Sequence, residues 1–274
     1  MIRVICPLCH QYLEQKPGTW SCAQGHAFDV AREAYVNLLP VQHKKTRDPG
    51  DNPEMVQARR KFLFAGHYQP LRDAVLALLA PLRAQSLLDL GCGEGYYTGA
   101  FPSVAADVAG LDISKPAIQL AAKEFRGITW LVGSGAQLPL ADASVDIVVS
   151  MFSQLYLEHT RRVLKPHGHL LVVTPAPDHL WSVRERLFDE VRAHQPDKFL
   201  AGLDAHFELT ARAEVRVALQ LGRDTLEQLL LMTPYAWKAR PEKRAALLQD
   251  AEVFDTTAAF TLLLLKKTPS TPAQ

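Results

Sequence analysis

Three cysteines and a histidine near the amino terminus have the spacing of a metal site. Cys6 and Cys9 are separated by two residues, Cys22 and His26 by three, and twelve residues lie between the two pairs. Two such chelating turns form a closed tetrahedral Zn²⁺ site, and four protein ligands leave no position for a reacting water. We therefore predict a structural zinc ion. His10 is an alternative to His26 as the fourth ligand, and the other possibility is that the cysteines are buried thiols that bind no metal.

Glycines recur in the sequence DLGCGEG at residues 89–95, directly after a short apolar segment. Gly91, Gly93 and Gly95 let the backbone approach a ligand closely, and a following helix offers unpaired N–H groups to polar ligand atoms. A dinucleotide-binding loop prefers its third glycine one position later, where this chain has Tyr96, so the spacing disfavours NAD. A glycine-rich turn without a ligand is the alternative.

An acidic residue accompanies this loop. Asp112 follows Gly95 by seventeen residues, at the predicted end of the next strand. A carboxylate in that place can accept hydrogen bonds from both ribose hydroxyls of an adenosine. Cys92 has no basic neighbour in the loop that would lower its pKa, so we interpret it as a small filler and not as a nucleophile. Asp146 is interpreted as a cap of its strand.

Asp112 and the glycine loop lie close together only if the strands before them end at the same edge of a sheet, and the sequence predicts such a sheet. Short apolar segments alternate with segments of helical length, which favours a parallel sheet covered on both faces. The predicted strands are residues 86–90, 108–111, 128–132, 146–150, 169–173, 213–219 and 258–266. The predicted helices are residues 53–66 and 71–82, with a helix and a loop in 223–249.

The chain divides into three predicted parts. Residues 1–37 form a zinc-binding module, residues 38–70 a basic linker, and residues 71–274 the α/β domain. The module is too small to hold a core unaided, and zinc can supply on the order of 10 kcal/mol of folding free energy. We therefore expect loss of the metal to unfold residues 1–37 and to leave the larger domain standing.

Composition describes a globular chain with no overall preference for nucleic acid. The 274 residues are 48% hydrophobic and carry a net charge of +1. Positive charge is concentrated between residues 42 and 72, where there are seven Lys or Arg and three acids. This stretch either binds a phosphate backbone or is a solvated linker with ordinary charges. The sequence shows neither an apolar run of membrane-spanning length nor a signal peptide, and we expect a cytoplasmic protein.

Four segments resemble the motifs of class I S-adenosylmethionine methyltransferases. Residues 89–95 resemble the first motif, and Asp112 resembles the acidic strand end that forms the second. Residues 135–140 and 144–146 resemble the adenine-side motif and the fourth strand, and residues 162–169 resemble the helix and turn before the fifth. The resemblance implies a Rossmann-like α/β fold and S-adenosylmethionine as the cofactor.

A second resemblance covers nearly the whole chain. The matching stretches are CPLC at 6–9, YVNLLP at 35–40, DPGD at 48–51, GHYQPL at 66–71 and MTPYAW at 232–237. They resemble the bacterial 23S ribosomal RNA guanine-N1 methyltransferases, and in particular the Gram-negative branch. The resemblance implies methylation of N1 of one guanine, number 745, in the helix 35 hairpin. It also implies that residues 1–37 are an RNA-recognition module and that the enzyme is a homodimer whose zinc modules flank an RNA cleft.

The same resemblance assigns site residues. The positions that match the family's cofactor contacts are Tyr68, Gly93, Glu94 and His179. The glycine loop and its partner add Asp89, Gly91, Gly95 and Asp112. The family's zinc ligands match Cys6, Cys9, Cys22 and His26. Because Tyr68 and His179 lie outside the loop, their assignment depends on the resemblance alone.

The contacts to a target base are less well defined. Residues 150–154, SMFSQ, differ from the proline-containing segment that the family has after its fourth strand. A guanine has to leave its base pair to expose N1, and aromatic side chains are suited to stack on it. The aromatic candidates are Phe152, Tyr156, Trp181, Tyr235 and Trp237. The sequence identifies no group that accepts the N1 proton.

Two other functions compete with this interpretation. A methyltransferase acting on another RNA base or on a small molecule would share the core, but a small-molecule enzyme would have a helical lid in place of the zinc module. A zinc-dependent RNA-binding protein that only senses the cofactor would bind RNA without turnover. The intact loop at residues 89–95 disfavours that second alternative.

Overall fold

A computed structural model of the chain describes residues 2–40, 50–199, 202–203, 205–249 and 252–269. The zinc module contains a small antiparallel sheet of three strands, β1 (Glu14–Lys16), β2 (Thr19–Ser21) and β3 (Ala27–Asp29). Gly18 adopts a φ of +84° in the turn between β1 and β2, a conformation that glycine adopts readily. The short strands place the two predicted chelating turns beside each other.

The remaining strands form one mixed sheet of eight. They are β4 (Tyr35–Asn37), β5 (Ala84–Leu90), β6 (Ala105–Asp112), β7 (Thr129–Val132), β8 (Val145–Met151), β9 (Leu164–Pro175), β10 (Phe207–Gly222) and β11 (Val253–Lys267). Their order across the sheet is β10-β11-β9-β8-β5-β6-β7-β4. Strands β4 to β9 pair in parallel, and β11 pairs antiparallel with both β9 and β10. This arrangement confirms the predicted α/β class.

Eight helices accompany the sheet in the described residues. They are α1 (Pro53–Phe64), α2 (Gln69–Leu79), α3 (Lys115–Glu124), α4 (Leu157–Val163), α5 (Trp181–Leu187), α6 (Arg223–Leu231), α7 (Tyr235–Lys238) and α8 (Pro241–Gln249). The seven strands predicted from sequence are all present, and most extend beyond their predicted ends. Residues 223–249 hold three helices where one was expected. Pro234 and Pro241 cannot continue a preceding helix, and a new helix begins after Pro234 and at Pro241.

The strands are buried on both faces, which explains their almost continuous apolar sequences. In β5, Leu87 packs into the core beneath α1, α2 and α6, whereas Leu88 packs into a second core on the opposite face. Ile2 and Val4 of the zinc module belong to that second core. The module therefore covers part of the sheet and does not stand apart from it.

Main-chain hydrogen bonds join the zinc module to the larger domain. The Ile5 N–H donates to the Pro139 carbonyl at 2.9 Å, and the Ala141 N–H donates to the Arg3 carbonyl at 2.9 Å. Strand β4 extends the main sheet beyond β7. The predicted boundary at residue 37 thus falls at the end of a strand of this sheet, and the division into two domains there stays a prediction.

The predicted basic linker is partly helical. Residues 53–64 form α1, whose Val56, Phe62 and Leu63 are buried against the core. Residues 41–49, which include Lys44, Lys45 and Arg47 of the basic stretch, lie outside the described residues. Within the part of the chain that the structure describes, no helix has the length and apolar composition needed to cross a membrane.

Candidate cofactor cleft, aromatic cavity and zinc site

The glycine loop turns sharply at the carboxyl end of β5. Gly91 has a φ of +81°, and a Cβ there would lie 2.5 Å from the Cβ of Ser153. Gly95 has a φ of +86°, and its Cβ would lie 2.8 Å from the Trp130 ring. Both positions therefore need glycine for backbone conformation and for space. The side of Gly93 is open, with only the Arg59 guanidinium about 3.7 Å from an added Cβ.

Asp112 faces this loop from the end of β6. Its Oδ2 accepts a hydrogen bond from the Gly93 N–H at 2.9 Å, and its Oδ1 accepts one from the Ser114 N–H at 2.7 Å. Burial raises the pKa of Asp112, although these two hydrogen bonds oppose the shift. Each carboxylate oxygen keeps lone pairs that a ribose hydroxyl can use. The structure thus places Asp112 beside the glycines, as the sequence predicted.

Glu94 is held by an arginine that sequence reasoning did not select. The Arg59 Nε of α1 donates to Glu94 Oε2 at 2.8 Å, and its Nη1 lies 2.6 Å from Asp51 Oδ2. Burial alone would lower the pKa of Arg59, but the two carboxylates raise it. Glu94 is 2% exposed, so this pairing compensates a charge that would otherwise be buried alone. Arg59 precedes Glu94 by 35 residues, so no spacing in the sequence signals the pair.

Asp89, the first residue of the loop, is also a buried acid. It is 2% exposed and accepts a hydrogen bond from Thr98 Oγ1 at 2.6 Å. Burial, opposed by that hydrogen bond and reinforced by the nearby Asp112 and Glu94, raises the pKa of Asp89 to about 7. Its carboxyl group fixes the helical turn that follows the loop, and any cofactor contact of Asp89 stays a prediction.

These residues line an open cleft of about 340 Å³, which we call the glycine cleft. Its walls include Gly91, Gly93 and Asp112, together with Gly135 and Tyr156 from the loops after β7 and β8. Backbone N–H groups, an acidic strand end and an aromatic side chain such as Tyr156 suit an adenosine. The residues present therefore fit the nucleoside part of S-adenosylmethionine.

A second cavity of about 360 Å³, which we call the aromatic cavity, adjoins the glycine cleft. The two share Arg59, Leu63, Tyr97, Phe152 and Ser153 as lining residues. Apolar lining from Phe260, Met232 and Val173 surrounds a few polar groups. This space lies at the carboxyl ends of β8 and β9, where open α/β sheets bind ligands.

Tyr68 and His179 lie in the aromatic cavity and not in the glycine cleft. Tyr68 is 4% exposed, and its ring packs edge-on against Phe260 with centroids 4.9 Å apart. His179 Nδ1 lies 2.8 Å from the Ala259 carbonyl, and burial lowers the pKa of His179 to about 4, so the ring is neutral at pH 7. Their expected contact with the cofactor stays a prediction.

Cys6, Cys9, Cys22 and His26 converge, with their ligand atoms all within 4.8 Å of one another. His26 Nδ1 lies 3.4 Å from Cys22 Sγ and 3.6 Å from Cys6 Sγ. Desolvation opposes ionisation of Cys22, but hydrogen bonds, first among them one from the His26 backbone, lower its pKa to about 6, which favours the thiolate that binds metals. Three thiols and one imidazole fit Zn²⁺, and the geometry selects His26 over His10.

Other residues named from sequence have structural roles. Cys92 is 8% exposed, and burial raises the pKa of its thiol, in agreement with a filler. Asp146 Oδ2 accepts from the Ser86 N–H of β5 at 2.9 Å and pairs with Lys165 of β9, so its carboxylate links β8 to both neighbouring strands, and a capping role stays a prediction. Of the aromatic candidates, Phe152 lines both spaces, Tyr156 lines the cleft and Tyr235 lines the aromatic cavity.

Trp181 and Trp237 line neither space. Sequence reasoning also missed His194 and Phe260, which do line the aromatic cavity. His194 stands in an irregular segment and Phe260 inside an apolar strand, so neither has a spacing that a motif could reveal. They reach the cavity only through the tertiary fold.

The fold, the glycine cleft and the acidic strand end together define a class I S-adenosylmethionine-dependent methyltransferase. Two family models match the chain: the zinc ribbon described as "RlmA, N-terminal" over residues 4–47, and "Methyltransferase domain" over residues 88–172. They fall on the zinc module with its following segment and on the sheet from β5 to β9. The chain is therefore an enzyme that uses S-adenosylmethionine and carries a zinc ribbon.

Full-length relatives define the family more narrowly. The chain is 31% identical over 273 residues to the 23S rRNA (guanine(748)-N(1))-methyltransferase of Streptomyces fradiae, covering 96% of each chain. It is 35% identical over 265 residues to a protein named as a 23S rRNA (guanine-N(1)-)-methyltransferase in Micromonospora griseorubida, covering 88% of this chain and 89% of that one. The chain belongs to the 23S rRNA (guanine-N1) methyltransferase family.

Solved structures agree on the fold. The YcgJ protein of Bacillus subtilis is 19% identical with a TM-score of 0.51, and the match covers 74% of this chain and all of that one (100%). A complex of the Trm112 methyltransferase activator with a methyltransferase from Haloferax volcanii gives 23% identity, a TM-score of 0.52 and coverage of 82% and 100%. At these identities the likeness shows the fold alone.

Proposed function

We propose that this enzyme methylates N1 of a guanine in the helix 35 hairpin of 23S ribosomal RNA, at position 745. The observation that carries the proposal is the combination, in one chain, of the zinc module, the glycine cleft and the adjoining aromatic cavity. Relatives over nearly the full length are named for guanine-N1 methylation of 23S rRNA. The number 745 rests on the resemblance to the Gram-negative branch, since the Streptomyces fradiae relative is named for guanine 748.

In this proposal the glycine cleft holds the adenosine of the cofactor. Asp112 accepts hydrogen bonds from the ribose hydroxyls, and the open side of Gly93 lets the backbone approach. S-adenosylmethionine supplies a methyl group on a positively charged sulfur. The shared wall of the two spaces, with Phe152 and Ser153, is where the acceptor atom has to meet that methyl group in line.

The target base is proposed to occupy the aromatic cavity. N1 lies on the pairing edge of guanine, so the base has to leave its stack and enter a pocket before transfer. Phe152 is 48% exposed at the shared wall and has a φ of +55°, an unfavourable conformation for a residue with a Cβ. Strain of this kind is often kept at functional sites, and we assign Phe152 as the ring that stacks on the guanine.

The RNA backbone is proposed to follow a groove between the zinc module and α4. His10 and Tyr12 line it from one side, His159 and Arg162 from the other. The linker contributes less than its composition suggested, because Arg59 is turned into the glycine cleft and Arg60 pairs with Glu124 at 2.6 Å.

We also propose the cytoplasm as location and a homodimer as the active form, both supported by family resemblance. A sedimentation measurement showing only monomer at working concentrations would contradict the dimer.

The test uses purified enzyme, labelled S-adenosylmethionine and a transcribed helix 35 hairpin. We expect one methyl group per hairpin, located by mass spectrometry of nuclease fragments at N1 of guanine 745. Matched hairpins carry adenine in place of guanine at 745 or at 748, and only the first is expected to lose methylation. Label on guanine 748 would refute the assigned position, and label on no RNA would refute the substrate.

A further inference from the structure

A histidine and a tyrosine form a hydrogen-bonded pair in the wall of the aromatic cavity. His194 Nε2 lies 2.8 Å from Tyr235 Oη, and both residues line the cavity. The His194 N–H donates to the Pro177 carbonyl at 3.0 Å, which fixes its backbone, and Tyr235 begins α7. This pair brings a titratable imidazole to the space where the base is proposed to bind.

Two other hydroxyl groups indicate that the cavity receives a polar ligand. The hydroxyls of Tyr68 and Tyr97 are buried, and within the described residues neither has a hydrogen-bond partner. Buried phenols without a partner are costly, so a ligand with its own donors and acceptors would stabilise them. Both tyrosines line the aromatic cavity, and Tyr97 also faces the glycine cleft. The cavity therefore fits a planar base with a polar edge.

We propose that Tyr235 and His194 act together as the acceptor of the guanine N1 proton, with Tyr235 touching the base. This inference rests on the proposed function, because it requires guanine N1 in the aromatic cavity. Tyr235 is the catalytic residue in this assignment, and His194 acts through it. Neither residue is among the cofactor or zinc positions indicated by sequence.

The step conserves atoms and charge. Guanine N1 gains the methyl group as the bond between that carbon and sulfur breaks, and the bonding electron pair stays on sulfur. N1 gives its proton to Tyr235 Oη while the Tyr235 hydroxyl proton moves to His194 Nε2. The resulting imidazolium then releases a proton to solvent, which His194 can reach because it is only half-buried.

The charges around the pair agree with these roles. Burial raises the pKa of Tyr235 to about 12, so its hydroxyl keeps its proton at pH 7 and has to pass it on. Desolvation, together with Arg184 of α5 and Lys238 of α7, lowers the pKa of His194. His194 is therefore neutral at pH 7 and able to accept a proton. The His179 ring, 6.4 Å away, is neutral as well.

The experiment measures single-turnover methylation of the helix 35 hairpin from pH 5 to pH 9 with saturating cofactor. His194→Gln keeps a hydrogen-bonding side chain but removes the base, and Tyr235→Phe keeps the ring but removes the hydroxyl. The control His169→Gln changes a half-buried histidine of β9 that lines neither space. General-base catalysis typically contributes about 10²- to 10⁴-fold, so both test variants are expected to lose at least about 100-fold, and the control less than about 2-fold.

The pH profile separates a proton acceptor from a structural support. The wild-type rate is expected to fall below a midpoint under pH 6.5, and His194→Gln is expected to lose that dependence. Binding of S-adenosylhomocysteine by calorimetry should stay within about 3-fold of wild type in both variants. Rates within about 3-fold of wild type, or an unchanged pH profile in His194→Gln, would overturn the inference. If wild type itself does not methylate guanine N1, the proposed function has failed instead.

If His194→Gln does not fold, Tyr235→Phe decides the question alone. Its ring keeps the packing against Phe188, with centroids 6.3 Å apart, so its folding is expected to survive. A folded Tyr235→Phe enzyme that keeps its rate contradicts the inference, and one that binds cofactor and RNA but turns over at least about 100-fold more slowly supports it.

Discussion

The zinc module and the methyltransferase domain reach their structures by different means. In the module, four ligand atoms come within 4.8 Å of one another, and its three strands have three residues each. In the domain, β5, β8 and β9 are buried on both faces over most of their length. The module therefore depends on chelation for its stability, and the domain depends on burial.

The two regions nevertheless share a surface. Ile2, Val4 and Leu13 of the module pack with Leu88 and Leu140 in one core. We conclude that metal ligation stabilises the module and that the module also packs against one face of the sheet. Substitutions in one region can show whether the other keeps its function when the first is damaged.

The largest effect is expected from removing a zinc ligand. Cys9→Ser should release the metal and with it on the order of 10 kcal/mol of folding free energy of the module. Hydrogen exchange should then increase over residues 2–30, and RNA methylation should be lost while S-adenosylhomocysteine still binds. Because Ile2 and Val4 cover the sheet, we also expect the domain to melt at a lower temperature.

The matched control is His10→Asn, which changes the histidine outside the cluster and suits its φ of +61°. It should keep one zinc per chain in a colorimetric release assay. Loss of zinc from this variant, or retention of zinc by His26→Asn, would show that the ligand set is wrong.

A smaller effect, confined to the domain, is expected at Asp89. Its pKa in the folded protein, about 7, lies above the ordinary aspartate value of 3.8, so between these values the folded protein holds a proton that the unfolded chain has released. The free energy of unfolding therefore decreases as pH rises through this window, by on the order of 4 kcal/mol at 1.36 kcal/mol per unit. Asp89→Asn should remove this pH dependence without loss of zinc.

Urea unfolding at pH 5 and at pH 8 measures the effect. Relative to wild type, Asp89→Asn should gain stability at pH 8 and little at pH 5. Equal gains at both values would mean that the Asp89 carboxyl group does not titrate as its burial requires.

Asp112 tests the cofactor cleft. Asp112→Ala removes the oxygen that accepts from Gly93 and the oxygen that accepts from Ser114, and a lost charged hydrogen-bonding group costs about 1.5 to 3 kcal/mol, or roughly 10- to 150-fold in affinity. Isothermal calorimetry with S-adenosylhomocysteine should show this loss, with Asp112→Asn in between. An unchanged dissociation constant in Asp112→Ala would remove Asp112 from the cofactor site.

The sequence predicted one class of feature well. The zinc ligands, the glycine loop and Asp112 are close in the chain or follow fixed motifs, so their spacing carried the information. The strands were found because burial on both faces leaves a continuous apolar segment. Tyr235 was named only as an aromatic, and its partner His194 stands 41 residues away in a segment without regular structure.

The rest depended on contacts that have no local signature. Arg59 reaches Glu94 across 35 residues, and the module contacts the segment around Leu140 across more than a hundred. The basic linker is an example. Its positive charge could be counted from the sequence, but Arg59 and Arg60 are engaged in ion pairs with Glu94 and Glu124. Composition predicts charge and not where a side chain points.

The smallest effect is expected where the two regions meet. Arg162 donates to the Leu140 carbonyl at 2.7 Å and to the Leu138 carbonyl at 2.8 Å, and so holds the segment that pairs with residues 3–5. Arg162→Gln should lower the free energy of unfolding by about 1 kcal/mol and increase hydrogen exchange at residues 3–5. The neighbouring Arg161→Gln is the control. Identical exchange in both variants would mean that Arg162 does not couple the module to the domain.

The central claim is that both regions serve one reaction on one RNA. Mass spectrometry of 23S ribosomal RNA from a strain lacking this gene, and from that strain complemented with wild type or with Cys9→Ser, tests it directly. We predict N1-methylguanine at position 745 with wild type and none with the deletion or Cys9→Ser. The same methylated guanine in the deletion strain, or full methylation by zinc-free Cys9→Ser, would contradict it.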